Sequence, residues 1–282
     1  MQIFESKSLL NSYLTPYYNS KSKIGFVPTM GALHSGHLSL LEKSVFENEI
    51  TVISIFVNPT QFNNVDDLKK YPRTLDDDVK KIKSVSNKIV IYAPTVYDIY
   101  EGNIISKHYN FDGLENQMEG KFRPGHFDGV GTVVQRLFEI VKPTTAYFGK
   151  KDFQQLQIVE KLVEKQKLNV HIIGCEIYRE KNGLAMSSRN ERLTVDEREN
   201  AKVIFKTLTA AKKLFGTKSA NEVSKFVENI FKGNDQFQLE YFEIADESTL
   251  ISYKRKNKTH KYRAFIAVFV NNIRLIDTIS LY

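Results

Sequence analysis

A single cysteine, Cys175, stands in 282 residues. No internal disulfide can form, and no metal-ligand neighbours accompany it, so a small buried residue closing a strand is expected. Long apolar runs are also missing. The longest, such as residues 264–270, fall far short of the roughly 20 residues that a membrane span needs. The start, Met1-Gln2-Ile3-Phe4-Glu5-Ser6-Lys7, lacks the basic-then-apolar pattern of a secretory signal. A cytoplasmic location and no membrane partner are therefore expected. Internal repeats and low-complexity segments are absent. Hydrophobic residues make up 41% and charged residues 26%, which argues against disorder and against a fibrous repeat. The length suits one or two domains.

Positive charge is in excess, at +7, but unevenly. Residues 1–200 hold 26 Lys+Arg against 25 Asp+Glu, and residues 201–282 hold 14 against 8. The last third carries the excess in scattered lysines and in the run Lys254-Arg255-Lys256-Asn257-Lys258. That run lies between strand-like segments and reads as a solvated hairpin loop. No aromatic residues interleave with it for base stacking, so nucleic acid is not an expected partner.

What is present is alternation. Strand-like runs at 24–28, 50–57, 88–92, 145–148 and 170–173 are separated by helical patterns. Leu38, Leu41 and Val45 mark one helix face, and a charged helix starts near Thr74. Val130, Val133, Val134, Leu137, Phe138 and Val141 follow the i, i+3, i+4, i+7 rule. Continuous apolar strands separated by helices predict an α/β domain, a parallel sheet with helices on both faces, over residues 1–176. Ligands of such sheets bind beyond the carboxyl ends of the strands, where strand order reverses. After about Arg192, helices at 196–214 and 218–231 precede strands near 239–246, 262–270 and 273–279. Without crossover helices these pair antiparallel, giving a smaller α+β domain over 177–282.

Four loops carry chemistry. The first reads Met30-Gly31-Ala32-Leu33-His34-Ser35-Gly36-His37 and runs into a helix. Gly36 permits close approach of a nucleotide, and the helix N-terminus favours phosphate. His34 and His37 can aim two ring N–H donors at oxygens that gain charge when the α-phosphorus is attacked, or are two exposed histidines capping the helix. The second, Met186-Ser187-Ser188-Arg189, offers two hydroxyls and a planar guanidinium to a polyphosphate, or is simply a turn. The third, Gly149-Lys150-Lys151-Asp152, places Lys151 for phosphate and Asp152 for a ribose hydroxyl, or forms a glycine turn with Asp152 as N-cap. The fourth, residues 56–62, carries Gln61. Gln61 and Gln155 are neutral donor-acceptors suited to a small polar acid, or surface glutamines.

Together PTMGALHSGH, FVNPTQF, YPRTLDDD, RPGHFDGVGTVV, YFGKKDFQQL and GLAMSSRN resemble the pantothenate synthetase family (pantoate–β-alanine ligases) of the nucleotidylyltransferase superfamily. The resemblance covers most of residues 24–192. It implies a Rossmann-like domain with a C-terminal lid, in a homodimer. It also implies ligation of (R)-pantoate and β-alanine through a pantoyl adenylate, releasing pyrophosphate and AMP. By that resemblance residues 30–37 line the ATP site, with His37 the foremost proton donor and His34 beside it. Lys151, Ser187, Ser188 and Arg189 meet the phosphates, with Gly149, Lys150, Asp152 and Met186 completing the grip. Gln61 and Gln155 hold pantoate, Gln61 also reaching β-alanine; Phe62, Val133 and Val134 pack on the pantoate methyls. The adenine rests near Tyr178, mainly on backbone. Magnesium is implied as the escort of ATP, with Asp77 or Asp78 as candidate ligands; the alternative is that these aspartates stabilise a helix start. Ser35, Lys150 and Tyr178 depart from the family pattern without removing a needed group. Competing readings are an adenylyltransferase acting on a phosphorylated precursor, a tRNA-interacting synthetase relative and an inactive scaffold.

Overall fold

The computed structural model describes residues 1–62, 65–253, 257 and 259–282. Of the basic run at 254–258, all but Asn257 lie outside the described residues. The chain divides into two compact units. One holds Met1–Glu115, Phe122–Gly149 and Gln155–Cys175; the other holds Asn116–Lys121, Lys150–Gln154 and Glu176–Tyr282.

The first unit contains strands β1 (Gln2–Phe4), β2 (Ile24–Thr29), β3 (Ile50–Ile55), β4 (Val90–Tyr92), β5 (Thr145–Gly149) and β6 (His171–Cys175). They form one parallel sheet in the order β1-β4-β3-β2-β5-β6. Successive residues face opposite sides of a sheet, so runs such as Ile-Thr-Val-Ile-Ser-Ile need cover on both. Val27, Ile53, Ile91 and Tyr147 pack with Leu40 and Leu41 of the helix Ser35–Glu47. On the other side, Phe26 meets Phe138 of the helix His126–Val141 edge-on, ring centroids 6.1 Å apart. All six periodic positions of that helix are buried, and Cys175 is a buried strand-end residue.

Val45 is a correction: it is 37% exposed. The buried face is Leu40, Leu41 and Ser44. A Cβ on Gly25 of β2 would lie 2.1 Å from the Ser44 hydroxyl oxygen, which shares a 2.9 Å hydrogen bond with Thr51. The helix approaches the sheet too closely there for a large side chain, and a hydrophobic count overlooks a serine. β1 and the helix Lys7–Asn19 were not anticipated; the strand spans three residues and the helix buries only Leu10 and Leu14.

The second unit holds β7 (Phe237–Asp246), β8 (Tyr262–Val270) and β9 (Ile273–Ser280) in an antiparallel sheet of that order. Ala264, Ile266, Val268 and Val270 of β8 form one core with the helices Lys202–Phe215 and Ala220–Phe231. The helix expected at 196–214 is two, Val195–Asn200 and Lys202–Phe215, broken at the fully buried Ala201. Glu119 is tied into this unit. Its carboxylate accepts two Arg274 N–H groups at 2.7 Å each and the Tyr241 hydroxyl at 2.8 Å. Arg274 also donates to Glu240 at 2.8 Å. Burial, with Glu119 alongside, pushes the Tyr241 phenol upward. Gln154 donates to the Gln117 carbonyl and accepts the Glu119 N–H, both at 2.9 Å.

Candidate active site

In the first unit, sheet order reverses between β2 and β5: β3 and β4 lie to one side of β2, β5 and β6 to the other. Loops leaving the carboxyl ends diverge at such a point and open a crevice. The histidine turn leaves β2 there, and Gly149 ends β5 beside it.

Thr29 closes β2, its hydroxyl donating to the Ser54 carbonyl at 2.7 Å and accepting the Gly31 N–H at 3.2 Å. Gly31 and Ala32 then take left-handed φ values of 82° and 50°. Asp78, in the helix Leu75–Val85, accepts the Ala32 and Leu33 N–H groups at 2.9 and 2.7 Å. His34 is the N-cap of the helix Ser35–Glu47, and His37 is its third residue. Their rings stack with centroids 4.0 Å apart and planes 27° apart. The Nδ1 of His37 accepts the His34 N–H at 3.4 Å, which leaves the ring proton on Nε2. Two imidazoles therefore stand together at the positive end of a helix, suited to donate to an oxyanion.

The loop after β3 is joined to this turn. Gln61 donates from Nε2 to the Met30 sulfur at 2.9 Å and accepts at Oε1 from Asn58 at 3.2 Å. Its backbone carbonyl accepts from His126 Nδ1 at 2.8 Å and from Arg123 at 3.2 Å. Asn58 also donates to the Gly129 carbonyl at 3.2 Å and accepts the Tyr100 hydroxyl at 2.6 Å. A Cβ at Gly129 would fall 2.5 Å from the Thr60 carbonyl oxygen, so only glycine lets the helix His126–Val141 meet this loop. Sequence reasoning assigned nothing to Asn58, His126 or Gly129. The available signal was a glycine inside an apolar helical pattern. Val133 and Val134 are buried in that helix, and the Phe62 ring lies edge-on to Tyr71 at 5.7 Å.

The second unit gathers the other candidates. The 3-10 turns Lys150–Asp152 and Ser188–Arg192 both pack against β9. The Lys151 ammonium bonds the Asp152 carboxylate at 3.0 and 3.2 Å, and Lys150 pairs with Glu176. Ser187 caps its turn by accepting the Arg189 N–H at 3.3 Å. Asn190 next to it is buried and donates to Glu180 at 2.8 Å and to the Ala185 carbonyl at 3.1 Å, fixing the Ser-Ser-Arg segment. The Tyr178 ring is half-exposed, and its carbonyl already accepts the Met186 N–H at 3.0 Å. Gln155 belongs with the first unit, one residue beyond the segment that groups with the second.

Asp78 is withdrawn as a magnesium candidate: it is fully buried and both carboxylate oxygens are taken by backbone N–H groups. Asp77 is exposed and paired with Lys80 at 2.9 Å, and that bond holds its carboxyl below the usual range. Among the described residues no three His, Cys, Asp or Glu side chains gather to hold a metal. The described residues therefore do not build an all-protein magnesium cage. No helix among the described residues is long and apolar enough to cross a membrane.

An open parallel sheet with a paired-histidine turn at its reversal point, accompanied by a small antiparallel sheet, defines a Rossmann-like α/β enzyme. The pantoate-beta-alanine ligase family model matches residues 2–280, and the chain belongs to that family. It is 67% identical over 281 residues to the pantothenate synthetase of Flavobacterium psychrophilum, covering 100% of both chains. It is 50% identical to that of Christiangramia forsetii, covering 100% of this chain and 99% of the relative. The solved pantothenate synthetase of Thermus thermophilus matches with TM-score 0.91 at 35% identity, covering 100% of both chains. The pantoate-beta-alanine ligase of Francisella tularensis, complexed with beta-gamma ATP and beta-alanine, matches with TM-score 0.79 at 34% identity, covering 100% and 98%. The expected fold class, a Rossmann-like parallel sheet plus a small antiparallel one, is borne out. The chain is an enzyme that ligates pantoate and β-alanine.

Proposed function

We propose that the ligation runs in two steps through an enzyme-held acyl adenylate. A carboxylate oxygen of (R)-pantoate attacks the α-phosphorus of ATP, the bond to the bridging oxygen breaks, and pyrophosphate leaves. The amine of β-alanine then attacks the activated acyl carbon, expelling AMP and giving pantothenate. The observation that carries this reading is the stacked His34–His37 pair at a helix N-terminus on the sheet reversal. The His37 Nε2–H, with the His34 ring beside it, meets the charge that grows on phosphate oxygens during attack. The nucleophiles come from the substrates, so the protein orients and stabilises charge. Pre-orientation can supply roughly 7–11 kcal/mol of the barrier.

Residues 30–37 are read as the ATP turn. Lys151, Ser187, Ser188 and Arg189 are read as phosphate ligands, supported by Gly149, Lys150 and Met186. Asp152 is read as the ribose partner and the backbone at Tyr178 as the adenine rest. Lys151 would exchange its Asp152 partner, with which it forms a part-buried pair, for a phosphate oxygen. Gln61 and Gln155 are read as pantoate ligands, with Gln61 also toward β-alanine. Magnesium enters this reading bound to ATP through phosphate oxygens, as is usual for that ion. A homodimer in the cytoplasm belongs to the same reading, with ATP, (R)-pantoate and β-alanine as partners and neither nucleic acid nor membrane. Light scattering on the purified protein should then give about twice the monomer mass.

In a single turnover with ATP, magnesium and (R)-pantoate but no β-alanine, pyrophosphate should be released in about one equivalent per site. No release until β-alanine is added would overturn the two-step order. Gln61→Ala should raise the pantoate KM roughly 10- to 100-fold, the size of one hydrogen bond to a charged group, with the ATP KM little changed. An unaltered pantoate dependence would remove Gln61 from the substrate site.

A further inference from the structure

We propose that Asp78 is a positioning residue for adenylate formation: its carboxylate fills the backbone nest that aims the two histidines. The inference rests on the reading of His34 and His37 given above. A turn that points successive N–H groups to one side makes a concavity that attracts an anion. Gly31 and Ala32, with φ of 82° and 50°, form such a turn, and at Ala32 the conformation is strained for a residue with a Cβ. The anion is internal. Asp78 Oδ1 accepts the Leu33 N–H at 2.7 Å, and Oδ2 accepts the Ala32 N–H at 2.9 Å and the Thr74 hydroxyl at 3.3 Å. A Cβ on Gly31 would lie 3.1 Å from Oδ2 and 3.0 Å from an Ile55 methyl, crowding both, and the φ of 82° already favours glycine there. Lys81, less than one turn further along the same helix, donates to the Leu33 carbonyl at 2.6 Å. The helix Leu75–Val85 thus grips the residue before His34 at both its N–H and its C=O.

Leu33 leads directly into His34, whose N–H reaches His37 Nδ1 at 3.4 Å and so selects the Nε2–H form of that ring. Asp78 therefore acts on the reaction through two backbone amides and one tautomer, without touching substrate. The nest is already occupied by a carboxylate, which directs phosphate to the helix end and the imidazoles.

The test uses the full chain with Asp78→Asn, which keeps the shape but turns an amide NH₂ toward one of the two N–H donors. Pyrophosphate release should slow about 30- to 100-fold, with the pantoate KM within twofold of the parent. Long-range proton–nitrogen spectra should show His37 as a single Nε2–H tautomer in the parent and a mixture in the variant. Thr74→Val is the second variant. The Thr74 hydroxyl caps no helix N–H and serves Asp78, so this change leaves the fold intact and should cost a few-fold in rate. An Asp78→Asn protein with parental rate and parental His37 tautomer would overturn the proposal. So would Thr74→Val at parental rate, should the first variant not fold. The tautomer readout needs no turnover, so failure of the two-step reading would show separately, as absent pyrophosphate release in the parent.

Discussion

Replacing His37 with alanine is expected to slow pyrophosphate release from ATP and (R)-pantoate by about 10²–10³-fold, the loss seen when one oxyanion donor is removed. Affinity for ATP should change little, because the helix N-terminus and its backbone N–H groups stay in place. The expectation follows from geometry: with Nδ1 accepting from the His34 backbone, the only proton on the His37 ring is at Nε2. Such a donor is worth most where charge develops, so the loss should fall on kcat of the first step. Rapid-quench measurement of pyrophosphate, together with ATP titration, separates the two effects. A variant that turns over at near-parental rate would take His37 out of the chemistry, and a defect confined to ATP affinity would make it a binding residue only.

The second large effect concerns stability. Arg179→Met should destabilise the second unit by about 3–5 kcal/mol, the usual consequence of leaving one member of a buried ion pair unpaired. Asp277 on β9 is almost wholly buried and accepts two N–H groups from Arg179, at 2.6 and 3.0 Å. Burial pushes its carboxyl upward, and the guanidinium beside it draws the other way. Arg179 also stacks on Phe205, its guanidinium carbon 3.9 Å from the ring centroid. Without the arginine, Asp277 must be buried charged or take up a proton, and either is costly. Hydrogen exchange at β8 and β9 amides would read the change. Adding Asp277→Leu should recover most of it, since exchanging a whole buried pair for apolar groups is often neutral. A single variant as stable as the parent would mean that water or another cation already serves Asp277. The turns carrying Lys151 and Arg189 lean on β9, so the first variant should lose activity as well as stability.

Much of this was legible beforehand, and the reasons are physical. Strands buried on both faces must be continuously apolar, so β2, β3 and β5 announced themselves, as did the six periodic positions of the helix His126–Val141. The histidine turn was legible because two donors three residues apart at a strand-to-helix junction need no tertiary information. Asp78 was visible only as one of three aspartates near a helix start. Its partners, Ala32 and Leu33, lie more than 40 residues earlier, and nothing local distinguishes it from Asp77. Gly129 and Asn58 were hidden for the same reason: their meaning lies in a meeting of backbones about 70 residues apart. Ser44 was missed because close helix–sheet contact selects small side chains, which a search for hydrophobic spacing discounts.

The way the chain is shared between its units bears on any attempt to take the protein apart. It crosses from one unit to the other after Glu115, Lys121, Gly149, Gln154 and Cys175. A gene fragment beginning at residue 176 would encode all of β7, β8 and β9 yet omit Glu119 and Gln154. Arg274 and the Tyr241 hydroxyl would lose their main acceptor, and the ring of Phe153 would be stripped from Arg263 and Phe265. No single cut in the gene yields two self-sufficient halves, so swapping the C-terminal part between relatives calls for transplanting three separated stretches together.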